Sequence, residues 1–80
     1  MVEDEYQKEL IAFGKQLKKI RGSKGLRQLD VEIATNINRT DVSKIEHGLK
    51  NIELRTIVKL SVALNVTLSE FFPPPSPDDE

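Results

Sequence analysis

The sequence predicts an all-α domain of five helices, and three observations carry that expectation. Apolar residues recur at spacings of three and four through Leu10, Phe13, Leu17 and Ile20, and again through Leu54, Ile57, Val58, Leu60 and Leu64, with Ser61 on the same side, the pattern of helices with one buried face. Between these stretches lie two short helix-permissive segments, 27–35 and 38–47, separated by a tight turn. Glycine and asparagine stand where each segment should stop: Gly22, Gly25, Asn36, Gly48 and Asn65, residue types that tolerate left-handed backbone.

The first helix is expected from about Tyr6 to Arg21, ending in Gly22-Ser23-Lys24-Gly25, where both glycines are expected to take left-handed conformations. The second, 27–35, reads QLDVEIAT after Arg27. Leu29, Val31 and Ile33 alternate as in a strand but also hold an i, i+4 pair, and the helical reading is taken. Asn36 ends it, and Asn38 is a preferred N-cap for the third helix, which carries Val42, Ile45 and Leu49 on one side and stops near His47-Gly48. The fourth helix, Leu54 to Leu64, is expected to turn its apolar residues to the core. Thr67-Leu68-Ser69-Glu70 is a capping box opening a short fifth helix with Phe71 and Phe72. Pro73 to Pro75 cannot continue it. The chain thus divides into an acidic extension, 1–5, the domain proper, 6–72, and a Pro-rich acidic tail, 73–80, expected to be disordered.

Composition narrows the function. Eighty residues make one small domain, with little chain to spare for an elaborate enzyme pocket. There is no cysteine, hence no disulfide framework and no thiolate zinc site. The N-terminus is acidic where a signal peptide would be basic, and the longest strictly apolar run, Leu10 to Phe13, is far short of a membrane span. A cytoplasmic protein that neither spans nor touches a membrane is therefore expected. The net charge of -1 conceals a strong asymmetry. Glu3, Asp4, Glu5 and Glu9 crowd one end and Glu70, Asp78, Asp79 and Glu80 the other, while residues 10–69 hold eleven Lys and Arg against five acids, a net of +6. Lys15 to Arg27 contains six bases and no acid, a segment suited to phosphates.

Catalytic chemistry has little to work with. One histidine, no cysteine and serines without a base at a recognisable spacing make no nucleophile constellation. No H-E-x-x-H, D-x-D-G or G-x-G-x-x-G pattern gathers metal ligands or cradles a nucleotide. Neither enzymatic activity nor a cofactor is expected. What remains is two short helices around a turn, braced by a helix before and a helix after, which is helix-turn-helix geometry. In that geometry the second short helix enters the major groove. Arg39, Thr40, Asp41, Ser43 and Lys44 form its polar side, with Val42 and Ile45 turned inward, and arginine or lysine can read guanine O6 and N7.

These residues also carry a family resemblance. FGKQLKKIR, GLRQ, VSKIEHG and TIVKLSVALNVTLSEFF, at their spacing from Phe13 to Phe72, resemble the Cro and phage-repressor (XRE) type of helix-turn-helix, three quarters of the chain. The resemblance implies a lambda-repressor-like fold and a DNA-binding regulator of transcription that pairs two-fold on a palindromic operator. Carried over by position, base readout falls to Arg39, Thr40, Ser43 and Lys44. Gln28 matches a glutamine that begins the second helix and touches a phosphate, and Arg27, Asn38, Lys50 and Asn51 are expected to contact phosphates beside it. Arg21 and Glu46 match an arginine and glutamate that pair between the first and third helices. The sequence departs from the pattern at Arg27, where serine or threonine caps the second helix, at Glu32, where alanine packs, at Asn36, where glycine turns, and at Ile52, where proline is usual. Glu32 must find a base, Arg39 or a first-helix lysine, or the helix must rotate outward.

The expected partners are double-stranded DNA and a second copy of the chain, with Phe71 and Phe72 as the dimer surface, one of them inside the core and one at the interface. Two rival readings stay open at this point. In one, Glu32 and Asp41 spoil the DNA face and leave Leu29 and Ile33 on helix two to meet a protein partner such as a toxin. In the other, the basic first helix binds RNA.

Overall fold

In the computed structural model, which describes residues 2–74, the chain forms α1 Val2–Ser23, α2 Gln28–Thr35, α3 Arg39–Glu46, α4 Leu54–Leu64 and a 3-10 turn, Leu68–Phe71. The fold is all-α as the sequence predicts, with four α-helices rather than five. The fifth element is a single 3-10 turn for a local reason. The Thr67 N–H donates to the Glu70 carboxylate at 2.7 Å, which fixes the start, and proline at 73 forbids continuation. Only one turn fits between them, closed by the Glu70 N–H on the Thr67 carbonyl and the Phe72 N–H on the Ser69 carbonyl.

α1 begins earlier than the apolar pattern indicates. Residues 2–5 are not a separate extension but its first turn, and Glu3, Asp4 and Glu5 there complement the positive end of the helix dipole. Residues 2–9 are exposed, so this stretch offers no buried face for periodicity to detect. At the other end α1 runs through Gly22, and only Gly25 is left-handed, with φ 69°. Asn36 and Asn65 take the left-handed stops expected of them, with φ 62° and 56°.

The core is Phe13, Leu17, Ile20, Val31, Val42, Ile45, Leu60, Leu64 and Phe71, one or more residues from every element. α1 lies across α3, α2 packs on α3 and α4, and the 3-10 turn ties α1 to α4. α2 resolves its ambiguous pattern as a helix: Val31 and Thr35, an i, i+4 pair, are buried while Ile33 is exposed. The buried Thr35 hydroxyl donates to the Val31 carbonyl at 2.7 Å and accepts the Ile37 N–H at 3.1 Å, so the turn into α3 is hydrogen-bonded from inside. Glu32 sits half-buried at the edge of this contact, and no ion pair among the described residues involves it.

One packing expectation is corrected, and another is narrowed to one residue. On α4, Leu60, Ser61 and Leu64 face the core, but Leu54 and Val58 do not, being 68% and 42% exposed. With 3.6 residues per turn they lie well round the helix from Leu64. Phe71 is buried against Phe13, ring centroids 5.2 Å apart, so of the two phenylalanines offered for a dimer surface it is the one inside the core. Phe72 is half-exposed and leans on the same Phe13 at 5.5 Å. Met1 and residues 75–80 lie outside the described residues, and with them most of the tail expected to be disordered.

Candidate nucleic-acid interface

α3 owes its orientation to its ends. At its start the Asn38 side chain accepts the Thr40 N–H at 2.7 Å, an N-cap that satisfies one orphan amide and leaves the Asn38 amino group outward. Val42, Ile45 and Glu46 are buried. Arg39, Thr40 and Lys44 are exposed and Ser43 half-buried, so the four expected base readers share the outer side of one helix. None of these four side chains makes a hydrogen bond within the described residues.

At the end of α3 the buried Glu46 carboxylate accepts three bonds: from Arg21 Nε at 2.6 Å, Arg21 Nη2 at 3.1 Å and Gln28 Nε2 at 3.1 Å. Arg21 also donates to the Leu26 carbonyl at 2.8 Å. The bond to Glu46 holds the Arg21 guanidinium above its ordinary pKa, against the opposing effect of burial. One carboxylate thereby joins α1, the start of α2 and the end of α3. Gln28, expected on a phosphate, spends one amino hydrogen on this network and keeps its carbonyl and second hydrogen for other partners. The Gln28 bond was not legible in the sequence, because nothing in the spacing of Gln28 and Glu46 distinguishes it from a chance pair.

The remaining expected phosphate contacts stand at the margins of α2 and α3. Lys50, exposed, lies 3.7 Å from Asp41, so the one acid on the outer side of α3 has a cation beside it. Asn51 is exposed. Arg27 occupies the N-cap of α2 and meets Asp30, whose carboxylate accepts the Arg27 N–H at 2.7 Å, Nε at 3.2 Å and Nη2 at 3.0 Å. These bonds hold Asp30 well below the ordinary carboxylate range, at about 2, and raise Arg27. This arrangement answers the missing serine or threonine. The acid at the third helical position caps the helix start, and an i, i+3 Arg–Asp spacing is the signal that could have revealed it.

The sign of the Asp30 shift sets a pH window. A depressed carboxylate stabilises the fold at pH above the ordinary carboxylate range, and that contribution disappears as pH falls through about 2. Asp30→Asn is expected to lower the protection of the Arg27 amide at neutral pH, and to leave that protection, taken relative to the intrinsic exchange rate at each pH, unchanged by acid between pH 4 and 2, measured by hydrogen exchange under native conditions. An amide equally protected in Asp30→Asn would show that the cap is unimportant.

Among the described residues no group of histidine, aspartate and glutamate could hold a metal ion, and no helix is long and apolar enough to cross a membrane. Residues 17–71 match the family model described as Helix-turn-helix. The chain belongs to the helix-turn-helix family. This helix-turn-helix chain is 41% identical over 63 residues to the control protein C.MunI of a Mycoplasma species, covering 78% of this chain and 85% of that one. Among solved structures it resembles the restriction-modification controller protein C.AhdI from Aeromonas hydrophila. The TM-score is 0.77 at 35% identity, over 79% of this chain and 96% of that one. It also resembles a hypothetical transcription factor, NHTF, from Neisseria, with TM-score 0.76 and 28% identity over 86% of this chain and 80% of the other. In helix-turn-helix terms α2 and α3 are the motif, with α3 its second helix. The first four or so turns of α1, residues 2–16, precede the matched region.

Proposed function

We propose that this protein is a sequence-specific double-stranded DNA-binding regulator of transcription that acts as a homodimer on a palindromic operator, in the manner of a restriction–modification controller. The observation that carries the reading is the outer side of α3. Arg39, Thr40, Ser43 and Lys44 project from a helix whose inner side is locked to α1 and α2 through Val42, Ile45 and Glu46. An acid-free basic stretch, Lys15 to Arg27, lies at the end of α1 and the start of the motif. The relatives named as controllers support the narrower role. Neither enzymatic chemistry nor a cofactor is part of the proposal, and a cytoplasmic location accompanies it.

Arg27, Gln28, Asn38, Lys50 and Asn51 are proposed to position the duplex through its phosphates, and the four outer α3 side chains to read bases. Arg27 would exchange its exposed pair with Asp30 for a phosphate, an inexpensive trade because exposed ion pairs contribute little. Binding to a random duplex, followed by fluorescence anisotropy at two salt concentrations, tests the class of ligand. Phosphate neutralisation imposes a steep fall of log K with log salt. A flat salt response, or tighter binding to single-stranded RNA, would overturn the proposal.

Specificity is tested at Arg39. Selection from a randomised duplex library supplies a bound sequence, and Arg39→Ala is expected to lose about 1 to 3 kcal/mol of discrimination at one or two base pairs of it. Weakening equal on selected and random duplexes would make Arg39 a phosphate contact instead.

A further inference from the structure

The peptide unit joining Gly48 to Leu49 is held on both edges. Its N–H donates to the Lys44 carbonyl at 2.9 Å, closing the end of α3, and its carbonyl oxygen accepts Gln7 Nε2 of α1 at 3.0 Å. Beyond it such ties stop. No backbone–backbone hydrogen bond among the described residues involves Lys50, Asn51 or Ile52. Lys50 and Asn51 are exposed, and both belong to the phosphate-contacting set of the proposed function. We infer that Gln7 is a positioning residue for duplex binding: by clamping the Gly48 carbonyl it fixes the direction in which Lys50 and Asn51 leave α3, and so where they meet the phosphates. This role rests on the proposed reading of those two residues, and it falls to a position outside residues 17–71, the stretch that matches the family model.

The geometry singles out Gln7. With Ile11 and Gly14 it is spaced i, i+4, i+7 on one face of α1, and that face lies along the end of α3 and the residue after it. Gly48 is left-handed, with φ 70°, and a Cβ on it would lie 2.9 Å from Ile11 Cγ1 and 3.0 Å from Ile11 Cα. Contact at Ile11 thus sets the spacing between α1 and the chain leaving α3, and Gln7, one turn earlier, reaches the carbonyl across it. Gly48 stands past the last turn of α3, where no helical N–H is in place for its carbonyl; Gln7 supplies the donor.

The rest of the segment is held at its far end and at one tip. Ile52 is half-buried against the core and lines a small cleft with Tyr6 and Leu10, so Lys50 and Asn51 hang between two points that the first three turns of α1 define. The Lys50 ammonium stands 3.7 Å from Asp41, toward the outer side of α3. Removing the Gln7 donor frees a carbonyl that water can reach, which costs the fold little. The cost appears on binding, because a segment with more orientations has more to lose when a duplex orders it.

Gln7→Met keeps a helix-forming side chain of similar length and removes the donor; Gln7→Ala is the second variant. In the free protein, NMR relaxation is expected to give order parameters near ~0.85 for the Leu49, Lys50 and Asn51 amides, falling toward ~0.6 in Gln7→Met. On a random duplex the same variant should bind about three- to tenfold more weakly, the worth of one hydrogen bond. Its plot of log K against log salt should be shallower by up to about 1, as for loss of a phosphate-contacting lysine. In a Lys50→Ala, Asn51→Ala background Gln7→Met should change affinity by less than about twofold, because the contacts it positions are already gone. An equal loss in that background would make Gln7 a duplex contact in its own right. A lower melting temperature with unchanged order parameters and salt slope would make it a structural brace; either result overturns the inference. Absence of duplex binding by the unsubstituted protein removes the regulator reading instead, while the relaxation measurement still shows whether Gln7 holds the segment.

Discussion

Glu46→Gln is expected to lower the stability of the fold by about 3 kcal/mol, at the lower end of what breaking a buried ion pair from one side costs. The figure sits at the lower end because the Arg21 side chain is 14% exposed and can recover some hydration, whereas that of Glu46 is 1% exposed and cannot. The change keeps the size of the side chain and removes its charge. It leaves the Arg21 guanidinium held beside a neutral amide and replaces one of three acceptor contacts with an amino group facing donors. For a domain of this length a loss of about 3 kcal/mol is a fall in melting temperature of roughly 12 to 24 °C. Thermal unfolding followed by circular dichroism measures it. A melting temperature within about 2 °C of the unsubstituted protein, less than 1 kcal/mol by the same conversion, would show that the pair orients α3 without stabilising it.

Gly14→Ala is expected to be at least as damaging. Gly14 is the buried point where α1 crosses the end of α3, and a Cβ there would lie 2.6 Å from the Glu46 carbonyl oxygen, with the Ile45 carbonyl oxygen nearer still. Both neighbours are backbone, so relief requires the two helices to separate. In an exposed helix the same change would stabilise by up to about 1 kcal/mol, because alanine is the better helix former. Here overpacking reverses the sign, and a net loss of about 2 to 3 kcal/mol or more is expected, again read from thermal unfolding. Gly22→Ala is the internal comparison, since no atom lies within 4 Å of a Cβ placed there. Equal melting temperatures for the two alanine variants would contradict the close crossing.

Much of this architecture is visible in the chain because each cue is local. Asn36, Asn65 and Asn38 act through their own backbone or a neighbouring amide, and Leu10, Phe13, Leu17 and Ile20 reveal α1 because a shared core imposes their spacing. What the sequence conceals depends on distance or on the lack of a partner. Residues 2–5 are helical with nothing to bury, so no apolar period announces them. Leu54 and Val58 resemble core residues by type, and only the placement of α2 and the 3-10 turn shows which side of α4 is left open. Gly14 reads as one weak helix residue until α3 is laid across it. In the candidate site, the outer side of α3 follows from the alternation of Val42 and Ile45 with polar residues. The tie between Gln28 and Glu46 joins residues 18 positions apart and has no local mark.

The side chains of Arg39, Thr40, Ser43 and Lys44 take no part in the hydrogen bonds that hold α3 in place; that work is done by Asn38, Glu46 and the buried apolar residues. On the proposed function, the address read by these four side chains and the frame that presents it are therefore separately editable. A lineage, or an engineer, can rewrite the four outward positions one at a time, sampling new target sites without approaching the stability threshold that makes most substitutions in so small a domain hazardous. Closely similar frames would then be expected to serve unrelated operators, and similarity across the rest of the chain would say little about which sequence each protein seeks.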